Sequence, residues 1–323
     1  EKTRVKAVIL AAGLGTRMRP LTDKTAKPAL PVLNEPLIVR TLRALKRAGV
    51  SEVMINLHHR PDSIRAAIPQ GDLGLRIKYS RETAILGTGG ALRKIRAWVG
   101  REPLIVVNGD VVFDFDLKAM VAAHRRTLAL ATLALKPNPD PKKYKPVVTD
   151  RSGRILSIRG LPRPRKGTSS LFASVHIIEP VILERLPEGA SDTVGDLYIP
   201  LLREGAHLQG VRQTGVWHDL GSPSGYLKAQ SRLLLSRGGK RSVVIDSSVR
   251  LGKGSRVTRS VVGAGCVIEP LARIEGSVIW DGALVKEGAR LRNCIVMSGT
   301  EVAKGAHEGL ILGPRIRVAI GKD

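Results

Sequence analysis

From residue 251 onward, apolar residues recur every seventeen positions in three interleaved columns. Leu251, Ile268, Val285 and Val302 make the first, Val257, Ile274 and Leu291 the second, and Val262, Ile279 and Val296 the third. Three short faces per coil is the arrangement of a parallel β-helix, in which each coil buries its apolar residues against the next. Ser260, Ser277 and Cys294 share one register, so Cys294 reads as a packed small residue rather than a reactive thiol. Stacked coils leave an unpaired edge, and the final run GPRIRVAIGKD reads as its cap. SRGGK, residues 236–240, reads as the linker into this region, dividing the chain into domains 1–238 and 239–323.

The first domain alternates strand-like and helix-like segments. VKAVILAA, SEVMINL, LRIKYS and PLIVVNGD read as strands. PLIVRTLRALKRAG, PDSIRAAI and GGALRKIRAWVG read as helices, two of them opened by Pro and two closed by Gly. This alternation predicts an α/β domain with a mostly parallel sheet, and ligands of such sheets bind outside the carboxyl ends of the strands. The stretches AAGLGTR and NGD both fall at such ends. Further on, LALATLAL, GRILSI and LFASVHII read as strands, EPVILERL as a short helix, and GVWHDLGSPSGYLKAQSRLLL as strand, turn and helix.

The first of these ends carries the chemistry. Gly13 and Gly15 permit tight turns and close backbone approach, and successive exposed N–H groups there form an anion-binding nest. The loop lacks the Walker spacing, and Met18 replaces the third glycine of a dinucleotide-binding fingerprint. Arg17 and Lys27 bring charge to phosphate oxygens in two different geometries, while Arg19 and Lys24 read as solvated. The net charge of +25 fits either an anionic partner or an excess spread over a solvated face. Aromatics are 3% of the chain, too few for base-stacking platforms, so dedicated nucleic-acid binding is not expected. Two cysteines form neither a disulfide framework nor a metal spacing, and His58 and His59 have no further ligand spaced to join them. No apolar run reaches membrane-span length and the N-terminal run has no cleavage region, so a cytoplasmic location is expected.

AVILAAGLGTRMRPLTDKTAKPALPV resembles the N-terminal pattern of the sugar-1-phosphate nucleotidylyltransferases, and LGTGGAL, VNGD, VHIIEP and WHDLG extend the resemblance to about residue 235. The repeat region resembles the tail of a subgroup of that family, in which the β-helix is left-handed. The resemblance implies a Rossmann-like nucleotidyltransferase domain. It implies transfer of a nucleoside monophosphate from a nucleoside triphosphate to a sugar-1-phosphate, with release of pyrophosphate. The attacking phosphate oxygen is already anionic, so the reaction needs positioning and charge neutralisation rather than a general base. By the same resemblance Arg17 grips the leaving pyrophosphate, Lys27 contacts the reacting phosphates, and Asp110 and Asp219 hold Mg²⁺. Leu10, Ala11, Ala12 and Gly13 line the base pocket, Gly15 and Thr16 continue the phosphate loop, Gly87 touches the base, and Asn108 and Gly109 lie near the ribose. Glu82 is a candidate acceptor for a guanine edge, or else a solvated loop carboxylate.

Two departures concern the sugar half. The family's Glu-Lys-Pro is absent from ILSIRGLPRPRKG, which leaves Arg159, Arg163 or Lys166 to meet the sugar phosphate. Ser174 stands where relatives often have glycine. The expected product is a GDP-mannose-type sugar nucleotide, with UDP- or dTDP-sugar synthesis or a catalytically silent regulatory subunit as alternatives. The quartet Arg17, Lys27, Asp110 and Asp219 is complete, which favours the enzyme. The β-helix reads as an oligomer contact, a regulatory site or a stabilising pack, and a homo-oligomer is expected.

Overall fold

The computed structural model describes residues 5–71, 73–163, 166–239 and 242–321. Packing groups them into two compact units, Glu1–Leu14 with Ile38–Trp217, and Gly15–Leu37 with His218–Asp323. The segments 15–37 and 218–238 therefore pack with the repeat region, on the other side of a division that chain order alone puts at 238/239.

In chain order the elements are β1 (Lys6–Leu10), β2 (Pro31–Val32), β3 (Glu35–Pro36), α1 (Leu37–Arg47), β4 (Glu52–Leu57), α2 (Pro61–Ala67) and β5 (Arg76–Arg81). They continue with α3 (Gly87–Val99), β6 (Leu104–Asn108), β7 (Val111–Phe113), α4 (Leu117–Thr127), β8 (Ala131–Lys136), β9 (Pro146–Thr149) and β10 (Ile155–Ile158). Then come β11 (Thr168–Ile178), α5 (Ile199–Arg203), β12 (Leu208–Arg212) and α6 (Pro223–Gly238). Helix α4, which the sequence pattern does not reveal, is capped by Asp116, whose side chain accepts from the Ala119 N–H at 2.9 Å.

The first unit is built on a sheet of order β10-β9-β11-β6-β1-β4-β5, with β8 joining β11 to β12. Its centre is parallel: β1 pairs β4 and β6, and β4 pairs β5. The centres of β1, β4 and β6 are buried on both faces, as in parallel strands covered by helices, although one face of β4 carries the polar Glu52 and Asn56. The chain lays β4 and β5 on one side of β1 and then returns to place β6 on the other. That reversal is a topological switch point between β1 and β6, where open parallel sheets bind ligands. Strand β11 runs antiparallel to both β6 and β8, and its register with β8 shifts between Phe172 and His176.

His176, on that strand, is buried with Nδ1 2.5 Å from the Tyr198 hydroxyl. Burial pushes its pKa down to about 3, so the folded chain keeps the imidazole neutral. The unfolded chain takes up this proton below about pH 6.5, so acidification through the interval between the two values favours unfolding by about 1.4 kcal/mol per pH unit. Urea unfolding at pH 7.5 and pH 5 is expected to show about 2 kcal/mol more loss on acidification for the native chain than for His176→Gln. Equal losses in the two proteins would contradict this assignment.

In the second unit the three apolar columns stack in register. Leu251, Ile268, Val285 and Val302 pair in parallel rungs, as do Val257, Ile274 and Leu291, and Val262, Ile279 and Val296. Ile245, His307 and Leu312 extend the columns at their ends. The small-residue register is hydrogen-bonded rung to rung. Ser277 N–H donates to Ser260 Oγ and Cys294 N–H to Ser277 Oγ, each at 3.0 Å. Burial raises the pKa of the Cys294 thiol, which suits a packing residue. Ile316–Ala319 folds back antiparallel on Leu310–Gly313 and covers the edge of that sheet, as a cap does. Residues 322 and 323 of the cap run lie outside the described residues, as does Lys240 of the linker.

The same unit holds the segment 15–37. Gln230 of α6 is buried, donates from Nε2 to Pro31 O at 2.9 Å and accepts from the Leu33 N–H at 2.9 Å. Tyr226 donates its hydroxyl to Pro31 O at 2.5 Å and accepts from Trp280 Nε1 at 3.1 Å. Asn34 Nδ2 donates to Val262 O at 2.7 Å. The loop that carries Arg17 and Lys27 is thus fastened to α6 and to the stacked coils.

Candidate active site

The switch point joins the two motifs singled out in the sequence. Leu10 pairs Asn108 in the β1–β6 ladder, and one residue further the Gly109 N–H donates to Leu10 O at 2.8 Å. The turn after β6 is thereby fixed against the exit of β1, with Gly109 buried and Asp110 half-buried at its tip. Ala11 and Ala12 are buried, Gly13 is exposed, and nothing lies within 4 Å of a Cβ built on Gly13. Open space over backbone at a strand's carboxyl end is what a bound group needs for close approach.

Ala11 is held from below by a residue that pattern reading does not single out. Its N–H donates to Asn56 Oδ1 at 2.5 Å, and Asn56 sits at the end of β4, in register with Leu10. Asn56 Nδ2 donates in turn to Glu82 Oε1 at 2.8 Å. The other Glu82 oxygen accepts from the Leu86 N–H at 3.2 Å. Glu82 is buried, so the solvated alternative does not hold: its carboxylate orients Asn56 and the entry to α3. His58 directs Nδ1 to Glu82 O at 3.0 Å, a lining role.

The network continues through the LGTGG turn. Gly87 has φ +68°, and a Cβ there would lie 2.4 Å from Ser191 O. Gly89 and Gly90 are also crowded, by Ser191 and by Gly189 O, and the Gly89 N–H donates to Ser191 O at 2.9 Å. These glycines let α3 pack directly on the 189–191 backbone. Beyond it, Thr88 donates to Asp192 at 3.3 Å, and Arg159 pairs with Asp192 at 2.6 Å. Burial alone would raise the Asp192 pKa, but the Gly195 N–H and the Arg159 guanidinium outweigh it and hold the carboxyl below its usual value. The charge of Arg159 is therefore already shared with Asp192. Arg163 and Lys166 are exposed.

Ser174 has φ +59° and lies one residue past the Val175–Val107 pair, on the side where β6 ends in Asn108. A non-glycine residue in this region carries a steric cost, so the position suits glycine. Ser174→Gly is expected to stabilise the fold by about 0.5–1 kcal/mol, less than the full relief because glycine gains entropy in the unfolded chain. A lower midpoint in urea for the variant would refute this.

In the second unit, Gly15 has φ +65° and accepts at its carbonyl from Thr22 Oγ1 at 2.8 Å and from the Met18 N–H at 2.9 Å. Met18 is buried beneath the turn, while Thr16 and Arg17 are exposed on it. Arg19, exposed, pairs with Asp23 at 3.4 Å. Lys27 opens a short 3-10 turn and is buried. Asp219 is half-buried, and a Cβ on Gly221 would lie 3.1 Å from its Oδ2, so the glycine of WHDLG makes room for this carboxylate. Among the described residues no group of three or more His, Cys, Asp or Glu is placed to hold a metal ion. No helix there is long and apolar enough to cross a membrane.

A sheet with a parallel core and a topological switch point, joined in one chain to a hexapeptide-like stack, defines the class. The chain belongs to the nucleotidyl transferase family, whose profile matches residues 6–236, and residues 230–311 match the GlmU-like C-terminal hexapeptide profile. It is 33% identical to the UTP--glucose-1-phosphate uridylyltransferase of Synechocystis over 77% of this chain and 68% of that one. It is 31% identical to the mannose-1-phosphate guanylyltransferase catalytic subunit beta of Drosophila pseudoobscura, over 78% and 72%. It is 29% identical to the mannose-1-phosphate guanylyltransferase of Mycobacterium tuberculosis, over 84% and 79%. The fold is similar to the crystal structure of HddC from Yersinia pseudotuberculosis, with a TM-score of 0.60 and 23% identity, over 71% of this chain and 99% of that one.

Proposed function

We propose that the chain transfers a nucleoside monophosphate from a nucleoside triphosphate to a sugar-1-phosphate, with release of pyrophosphate and a GDP-mannose-type product. The observation that carries this reading is the hydrogen bond from Gly109 to Leu10 at the switch point, which sets the NGD turn beside the glycine-rich exit of β1. Guanine and mannose are favoured by relatives named mannose-1-phosphate guanylyltransferase. The relative named UTP--glucose-1-phosphate uridylyltransferase supports uridine and glucose as the second reading.

In this mechanism the backbone of Ala11 to Gly13, held by Asn56 and Glu82, seats the base, with Gly87 at its edge. Asn108 and Gly109 face the ribose. Gly15, Thr16 and Arg17 take the pyrophosphate, and Lys27 neutralises the phosphates between which the bond changes. Arg159, Arg163 or Lys166 meets the sugar phosphate, and Ser174 belongs to the sugar half of the site. The sugar-phosphate oxygen attacks the α-phosphorus and the bond to pyrophosphate breaks, so the step consists of alignment and charge neutralisation. Asp110 and Asp219 offer the hard oxygen donors that Mg²⁺ prefers, and an ion completed by substrate phosphates needs only one or two carboxylates. When bound, Mg²⁺ supplies charge neutralisation on the reacting phosphates.

The test is pyrophosphate release from a panel of five nucleoside triphosphates and several sugar-1-phosphates in Mg²⁺. Release is expected with GTP and mannose-1-phosphate. Release with UTP or dTTP alone would move the reading to that base, and no release with any pair would favour a silent regulatory subunit.

A further inference from the structure

The stacked coils carry a second feature that the proposed reaction does not use. In the sheet formed by Arg256–Thr258, Arg273–Glu275, Arg290–Arg292 and Ala306–Glu308, the middle residue of each strand points inward. The flanking residues form two outward columns. In one, Thr258, Glu275, Arg292 and Glu308 follow each other, and its charges are compensated: Arg259 pairs with Glu275, and Arg292 with Glu308 at 3.7 Å. In the other, Arg256, Arg273 and Arg290 stand directly opposite one another on successive rungs. All three are exposed, and among the described residues none forms an ion pair.

Neighbouring strands lie about 4.8 Å apart, so three guanidinium groups are repeated over about 10 Å. Like charges directly opposite in a sheet destabilise it. Other cations on the coils are paired, as where Lys286 lies within 3.7 Å of both Glu269 and Glu301. The arginine column forms one wall of a groove of about 350 Å³, and Thr258, Glu275, Arg292 and Glu308 form the other, where Arg259 and Arg292 neutralise the two carboxylates. His307 keeps both ring nitrogens engaged, with Ala303 O and with Arg317. The column ends at Ala306, so the track is three rungs long.

We propose that this arginine column is a binding site for a small anion carrying two or more phosphate groups. Guanidinium groups bind phosphate oxygens by paired, charge-assisted hydrogen bonds, and a ligand with several phosphates removes the repulsion between rungs. A second copy of this chain suits the groove poorly, since its 53 Lys and Arg outnumber its 28 Asp and Glu. Nucleic acid would call for a longer track, because its binding proteins engage about six to ten phosphates. The site shares no residue with the proposed reaction, so it stands or falls separately from that reading.

Inorganic tripolyphosphate is the probe, titrated calorimetrically into the full chain at about 0.15 M salt. The loop around Arg17 and Lys27 also attracts phosphates, so the column's share is read as the difference between the native chain and Arg273→Gln, with Arg256→Gln as a second variant. Each is expected to weaken the column's binding about tenfold or more, and orthophosphate is expected to bind far more weakly than tripolyphosphate. In anion-free, low-salt buffer, Arg273→Gln is expected to raise the melting temperature by about 1–3 °C, and tripolyphosphate to abolish that advantage. The proposal is overturned if both variants bind tripolyphosphate as the native chain does, or if Arg273→Gln melts lower without anion. It is equally overturned if orthophosphate binds as tightly, or if duplex DNA binds more tightly than tripolyphosphate with the same dependence on Arg273.

Discussion

Asp110→Asn is expected to reduce pyrophosphate release by about 10²–10³-fold, the range typical for loss of one preorganised electrostatic group in an active site. The substitution keeps the shape of the side chain and removes its charge. The turn that carries it is held by backbone, through the Gly109 N–H on Leu10 O, so the fold is expected to survive. Unfolding midpoints of variant and native chain should therefore agree while turnover collapses. Turnover within threefold of the native chain would remove Asp110 from the proposed mechanism. Raised Mg²⁺ is expected to restore part of the lost rate, because a neutral amide oxygen is a weaker ligand for a hard cation than a carboxylate.

Asn56→Ala is the second large effect, and it falls on stability and substrate binding together. The variant leaves a buried Ala11 N–H without its acceptor and takes a donor from the buried Glu82 carboxylate. Two such losses cost about 2–4 kcal/mol. The backbone at Ala11 is then less constrained, and the KM for the nucleoside triphosphate is expected to rise about tenfold with a smaller change in kcat. Asn56→Asp separates positioning from packing. It keeps the acceptor for Ala11 but sets a second carboxylate against Glu82, so the pair holds a proton more tightly when folded than when unfolded. The stability of that variant is therefore expected to fall as pH rises from 5 to 8, relative to the native chain. A variant with native KM and a native pH profile would show that the Asn56 bridge positions nothing.

Much of this architecture is legible because it repeats or because it is local. The seventeen-residue columns needed only counting, and their rungs pair as the periods require. The helix punctuated by Pro36 and Gly49 forms as α1, and the run from residue 103 forms as β6. The AAGLG loop and the NGD turn stand out because each directly follows a buried apolar strand, at the end where parallel sheets bind ligands.

Asn56 left no such signal, and Glu82 stood out only as a candidate for the base. Their meeting beneath Ala11 gives both a role that no local pattern records. The same is true of Arg159, whose pairing with Asp192, thirty-three residues away, no local pattern predicts.

The sequence by itself determined the two kinds of architecture, the coil period and the residues at the ends of β1 and β6, since these follow from the rhythm of apolar side chains and from backbone freedom at glycine. Only the tertiary structure decided that residues 15–37 pack with α6 and the stack, and that Asn56 supports Ala11. Those outcomes rest on buried hydrogen bonds between residues far apart in the chain, such as Leu33 with Gln230. A buried polar group must find its partner wherever the fold places one, and periodicity carries no record of where that is.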